Sequence, residues 1–340
     1  MNSNLKFLFR TSGGRTPKKE LGIGHIIRCL NLTSSLRRSN VFFLVEDYGG
    51  IRSIFEKMGK GKIKFLKKNI SLKADIKETE GFIEKNKIDI VIVDKYKVDF
   101  RYVDALRKMG TTVLITDLRE NNYRADLIIN GFVGFENQIK SNKYKTKCLL
   151  GPKYQILNPS FQKKNSLSKK IDILATFGGF DETNIIDKLI DFLNSREIKL
   201  KTKIILGPAT KKTKTVKKYQ RERNSWLEIV DQTKDMKKEI SKARLGICSG
   251  GITTYEMASL NVPFGVICQN EHQLITAIQW EKLSFGTNLG LSKNLDLSKL
   301  EKFIEKNLGS KTNKKKTIDG HGSKRAIREI IKSHKMKSRD

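Results

Sequence analysis

The chain has 340 residues, enough for two domains of ordinary size. Hydrophobic residues make up 38% of it and are spread throughout, which excludes a disordered chain. No stretch approaches the roughly 20 consecutive apolar residues of a membrane span. The first apolar run is cut short by Arg10, too soon for a signal peptide, so a cytoplasmic location is expected. Four scattered cysteines with no CxxC pair exclude a zinc knuckle or a thioredoxin-type site, and buried reduced thiols are expected. No metal or cofactor is called for. Lys and Arg total 68 against 36 Asp and Glu, a net charge of +32. Such an excess suits nucleic acid, an anionic membrane surface or an anionic small substrate, or it reflects a composition bias spread over solvated faces. The basic residues do not gather into one arm and aromatics do not interleave with them, so no specific nucleic-acid partner is expected.

Strand-like and helix-like runs alternate. Residues 5–10 predict a strand and 22–24 a loop. Residues 25–38 have helical spacing and end in Arg37-Arg38, basic residues that suit a helix C-terminus. Residues 41–46, 88–94 (IDIVIVD), 112–117 (TVLITD) and 127–130 predict further strands, largely apolar as in a parallel sheet covered on both faces. From 151 to 170 the chain turns polar, with Pro152 and Pro159, and this marks a linker. Strands resume at 171–177, 203–206 (before Gly207-Pro208), 226–230, 245–248 and 266–268. The pattern predicts an α/β protein of two Rossmann-like domains facing a central cleft. The first takes 1–150 and the second 171–316. Residues 317–340 form a terminal segment, with 311–316 and 332–340 expected to be mobile.

Three glycine-rich segments could carry chemistry. Gly22-Ile23-Gly24-His25 opens a helix, where glycines permit close backbone approach and free N–H groups favour an anion. It is neither a full GxGxxG nor a P-loop. His25 in the first turn is disfavoured as imidazolium by the helix dipole and could accept a proton, although it could equally be a packing residue. Ser249-Gly250-Gly251-Ile252-Thr253 follows a strand and opens a helix. It could cradle a diphosphate, with Glu256 one turn on reaching a ribose diol. Phe177-Gly178-Gly179-Phe180-Asp181 is a second loop of the same kind, in which Asp181 suits a helix N-cap as well as a ligand. Asp94, Tyr96 and Asp117, and the group Asn270-Glu271-His272-Gln273, fall at strand ends, where residues line a site or serve merely as loop and cap residues.

Together these segments resemble the UDP-2,4-diacetamido-2,4,6-trideoxy-β-L-altropyranose hydrolases of pseudaminic acid biosynthesis, relatives of the peptidoglycan GlcNAc transferase with its GT-B fold. The resemblance runs from Leu8-Phe9-Arg10 through Gly22-Ile23-Gly24-His25-Ile26-Ile27-Arg28-Cys29-Leu30, Asp94-Lys95-Tyr96 and Gly151-Pro152-Lys153-Tyr154. It continues through both later Gly loops to Asp319-Gly320-His321-Gly322-Ser323-Lys324-Arg325. It implies hydrolysis of a UDP-sugar without a metal, with His25 as the base that activates water. It further implies sugar contacts by Arg10, Gly22, Gly24, Asp94, Tyr96, Asp117, His272 and Gln273. The UDP would be held by Gly178, Gly179, Ser249, Gly250, Gly251, Thr253 and Glu256. Residues 325–333 resemble the C-terminal helix that crosses back to the first domain. The chain departs from the pattern at Thr116-Asp117, at His272-Gln273 and in a lengthened loop at 13–20. These departures keep a second reading open, a GT-B glycosyltransferase of surface polysaccharide synthesis in which an acceptor hydroxyl replaces water. The basic surface would then suit peripheral membrane association.

Overall fold

The computed structural model describes residues 4–15, 20–59, 61–117, 122–136, 141–162, 167–179, 181, 183–207, 210–222, 224–308 and 318–338. The chain divides into two compact units, residues 1–159 with 321–340, and residues 160–320.

Unit 1 contains β1 (Phe7–Thr11), β2 (Gly14–Arg15), β3 (Glu20–Gly22), α1 (Gly24–Thr33), β4 (Val41–Glu46), α2 (Ile51–Met58), β5 (Lys62–Leu66), α3 (Leu72–Asn86), β6 (Ile90–Asp94), α4 (Phe100–Met109), β7 (Thr111–Ile115), β8 (Leu127–Asn130) and β9 (Lys147–Leu150). Seven strands form one parallel sheet in the order β5-β4-β1-β6-β7-β8-β9, while β2 and β3 pair separately as a short antiparallel ribbon. Every residue of β1, β4, β6 and β7 is buried, the pattern of strands with helices on both faces.

Unit 2 contains β10 (Ile171–Thr176), α5 (Ile185–Ser195), β11 (Thr202–Ile205), α6 (Lys214–Arg221), β12 (Leu227–Val230), α7 (Met236–Lys242), β13 (Ala243–Cys248), α8 (Ile252–Ser259), β14 (Phe264–Cys268), α9 (Glu271–Lys282), β15 (Gly286–Leu291) and α10 (Leu297–Leu308). Its six strands run parallel in the order β12-β11-β10-β13-β14-β15. The last helix, α11 (Gly322–Lys337), returns to unit 1, where Ala326, Ile327 and Ile330 pack into the core of Phe7, Phe9, Ile26 and Ile92.

Both sheets reverse their strand order beside their first strand, between β1 and β6 and between β10 and β13. In open α/β sheets such a reversal leaves a crevice at the carboxyl ends of the two strands, the usual place for a ligand.

Some expectations need correction. The helix predicted to 38 stops at Thr33. The hydroxyls of Thr33 and Ser34 donate to the carbonyls of Leu30 and Asn31, drawing off the last acceptors of the turn, and Arg38 instead begins a 3-10 turn. Gly22 and Gly24 do not share a loop, since Gly22 ends β3 and Gly24 is the first residue of α1. Nor is residue 332 the start of a mobile tail. Helix α11 continues to Lys337, whose ammonium donates to the carbonyls of Arg107 and Gly110 and to the Asp126 carboxylate. Phe180, Pro208 and residues 311–316 lie outside the described residues. All four cysteines are buried and unpaired as disulfides. Among the described residues no helix is long and apolar enough to cross a membrane, and no cluster of three His, Cys, Asp or Glu is placed to hold a metal ion.

Candidate functional site

The crevice of the first sheet lies where β1 and β6 end, and α1 begins beside it. Helix α1 has no side-chain cap and no acidic residue in its first turn, so the positive end of its dipole is uncompensated there. His25 sits in that turn with only 12% of its side chain exposed. Its Nδ1 lies 2.7 Å from Oδ1 of Asp94, the last residue of β6. Arg28, one turn further along α1, donates to both Asp94 oxygens, Nε to Oδ2 at 2.7 Å and Nη2 to Oδ1 at 2.6 Å. Burial pushes the Asp94 carboxyl up, but the charge and hydrogen bonds of Arg28, and then of His25, outweigh it and hold Asp94 below the usual carboxylate range. Asp94 is therefore an acceptor only, and the His25 contact takes the Nδ1–H tautomer. That leaves the Nε2 lone pair able to accept a proton.

Two residues expected to touch substrate are enclosed and paired within the chain. Asp94 is fully enclosed and holds His25 and Arg28 instead. Arg10 is also fully buried. It donates to both oxygens of Asp75 on α3 at 2.8 and 2.7 Å and to Glu46 at 2.8 Å, while Lys95 reaches Asp75 at 2.6 Å. As a residue of a central strand, Arg10 points between sheet and helix, where only a paired guanidinium is tolerated. Tyr96 is 42% exposed, with the Lys97 ammonium 5.4 Å above its ring. Asp117, half-buried two residues beyond β7, shares a small hollow with Lys95, Tyr96 and Tyr123. A Cβ on Gly24 would meet nothing, so the surface over the start of α1 is open. A shallow cavity of about 480 Å³, lined in part by Lys62, Lys64, Lys77 and Lys85, lies elsewhere in unit 1 and includes none of these residues.

In unit 2 the two Gly loops flank the second crevice. Gly178 has φ +81°, a left-handed conformation suited to glycine, and a Cβ on it would come within 3.5 Å of Ser249 Oγ. Gly207, after β11, packs its α-carbon directly on the carbonyls of Gly178 and Gly179. Gln273 in the first turn of α9 ties the loops together. Its Oε1 accepts from Gly250 N at 3.2 Å and Gln269 N at 2.9 Å, and Gln269 Nε2 donates to Phe177 O at 2.9 Å. Gly251 precedes α8 with open space above it, and Thr253 lies in the first turn. Burial raises the Glu256 carboxyl to about 7, and among the described residues it has no hydrogen-bond partner. Asp181 accepts from the Ile185 and Ile186 amides at 2.9 Å, anchoring the start of α5. His272 is exposed.

Arg28 and Gln269 were given no role by sequence reasoning. The signal for Arg28 was present, since it lies three residues after His25 on the same helix face. For Gln269 there was none, because its partners come from other strands.

Residues 176–332 match the glycosyltransferase family 28 C-terminal domain. The solved structure of MurG from Acinetobacter baumannii superposes over 96% of this chain and 99% of its own with a TM-score of 0.63. The fold is GT-B. At 14% identity the MurG likeness is one of fold. A UDP-GlcNAc 2-epimerase from Methanocaldococcus jannaschii, solved with UDP-GlcNAc and UDP, superposes over 96% of this chain and all of its own (TM-score 0.57, 14% identity). Among sequence relatives, an uncharacterised protein of M. jannaschii is 30% identical over 75% of this GT-B chain, which spans only 54% of that relative. The spore coat polysaccharide biosynthesis protein SpsG of Bacillus subtilis is 26% identical, over 81% of each chain.

Proposed function

We propose that this GT-B chain is an enzyme that cleaves a UDP-activated sugar and transfers the sugar to an acceptor hydroxyl in surface polysaccharide assembly. The observation that carries the reading is the His25–Asp94 pair at the carboxyl end of its sheet, with Nδ1 2.7 Å from a buried carboxylate oxygen. In the proposed step Nε2 takes the proton of an attacking O–H group. The oxygen bonds to the anomeric carbon, the bond from that carbon to the UDP phosphate oxygen breaks, and the electron pair leaves with UDP. The leaving diphosphate would be stabilised by the amides of the Gly178–Gly179 and Ser249–Gly251 loops and the start of α8. The ribose diol would donate to the Glu256 carboxylate, which has no hydrogen-bond partner among the described residues. Support comes from the family 28 match over these loops, from the polysaccharide role named for SpsG and from the UDP and UDP-GlcNAc held by the epimerase.

A second reading, hydrolysis with water as the nucleophile, uses the same atoms and is favoured by the motif order around His25. The test is UDP release from a panel of UDP-sugars, including UDP-diacetamido-trideoxy sugars, with and without acceptor glycans. Release that depends on an acceptor supports transfer. Stoichiometric release in water alone replaces transfer by hydrolysis. Absence of both UDP binding and release rejects both.

A further inference from the structure

Arg28 makes a contact that neither holding Asp94 nor building α1 requires. Its Nη2 lies 3.1 Å from His25 Nδ1 while donating to Asp94 Oδ1 at 2.6 Å. A single nitrogen cannot donate to Asp94 and accept from Arg28 at once. The shorter contact, to an ionised carboxylate, takes the hydrogen. The Arg28 approach is then a guanidinium held against an N–H, a contact that becomes repulsive when the ring gains its second proton.

We infer that Arg28 is a positioning residue that keeps Asp94 ionised and opposes retention of a second proton on His25. The inference rests on the reading of His25 as the base. A base of this kind must take a proton and then give it up. A buried carboxylate serving His25 alone would hold the imidazolium firmly, whereas here one negative charge is shared between two cations. Among the described residues, the groups at the ring come from three elements. Arg28 and Cys29 come from α1, and the Cys29 thiol is pushed up by burial and stays neutral. Asp94 comes from β6. Asp117, beyond β7, acts on Arg28. The uncompensated start of α1 adds positive potential in the same sense as Arg28. Burial opposes the charge on Arg28, but Asp94 and then Asp117 more than restore it, so the guanidinium stays charged throughout the working pH range.

The test is titration of the His25 ring by NMR in histidine-labelled protein. The chain has only four histidines, so a His25→Gln variant assigns the signal. In Arg28→Met the titration midpoint moves up by about one pH unit or more, and the acid limb of kcat/KM moves with it. Arg28→Lys, which keeps the charge and loses the fork, leaves the midpoint near wild type while lowering kcat. Should Arg28→Met fail to fold, Arg28→Gln removes the same charge with a polar side chain, and its midpoint moves in the same direction. An unmoved or lowered midpoint in the uncharged variants overturns the inference. The ring titration needs no substrate, so a protein inactive on every UDP-sugar would reject the proposed reaction while the NMR result still decides the role of Arg28.

Discussion

Glu256 offers a quantitative check on the site in unit 2. Burial lifts its carboxyl from 4.5 to about 7 with nothing in the described chain to compensate. Below pH 4.5 the group is protonated in folded and unfolded chains alike and contributes no pH dependence. Between 4.5 and 7 the unfolded chain loses the proton while the folded chain keeps it, so stability falls as pH rises, and above 7 the loss is complete. At about 1.4 kcal/mol per pH unit the loss comes to about 3–4 kcal/mol, an upper limit because the residue keeps some contact with solvent. In Glu256→Gln this slope vanishes, so the variant gains on wild type between about pH 5 and 7 and keeps that gain above it. Both tryptophans, Trp226 and Trp280, lie in unit 2, and their fluorescence during denaturant unfolding reports on the relevant unit. If the ribose of UDP donates to the carboxylate, UDP binding near pH 6.5 releases a proton in wild type and none in the variant. Calorimetry in buffers of different ionisation enthalpy measures this directly. Parallel stability curves for wild type and variant across this pH range would refute the argument that Glu256 is desolvated and unpaired.

Three further outcomes are expected. Arg10→Met leaves Asp75 and Glu46 short of a buried partner and destabilises unit 1 by about 3–5 kcal/mol, measured by circular dichroism during denaturation. A cost below about 1 kcal/mol would show the pairing to be dispensable. Gly250→Ala places a Cβ 2.8 Å from the Gln273 side chain and carbonyl, displacing the loop and weakening UDP binding roughly tenfold, about 1.4 kcal/mol by calorimetry. Unchanged UDP affinity would remove this loop from the binding site. Asp94→Asn removes the carboxylate that fixes the Nδ1–H tautomer and lowers kcat about 100-fold or more with little change in KM, whereas an equal loss in KM would assign Asp94 to binding.

Much of the fold was legible because the central strands are uniformly apolar. IVIVD and FGVIC can be little else than strands buried on both faces. The edge strand β5 reads Lys-Ile-Lys-Phe-Leu, with its lysines on an exposed edge, and gives no apolar run to find. The strand β15 is interrupted by Gly290 in a left-handed conformation and is equally silent. His25 and the Gly loops could be found because glycine and helix starts leave a local signature. The buried roles of Arg10 and Asp94 could not. Both stand at strand ends, where a charged residue reads as a ligand contact, and only the packing of α3 and α1 over the sheet turns them into internal struts. The resemblance marks a helix at 325–333, but its last turn reads as a mobile tail, because the carbonyls and carboxylate that Lys337 reaches lie more than 200 residues away in sequence.

The most direct test of the account is UDP release by wild type and His25→Ala, with UDP affinity measured on the same preparations. The expected result is a fall in kcat/KM of about 10²- to 10⁴-fold with UDP affinity unchanged. Full turnover in the alanine variant would contradict the assignment of His25 as the base and, with it, the mechanism built on the His25–Asp94 pair.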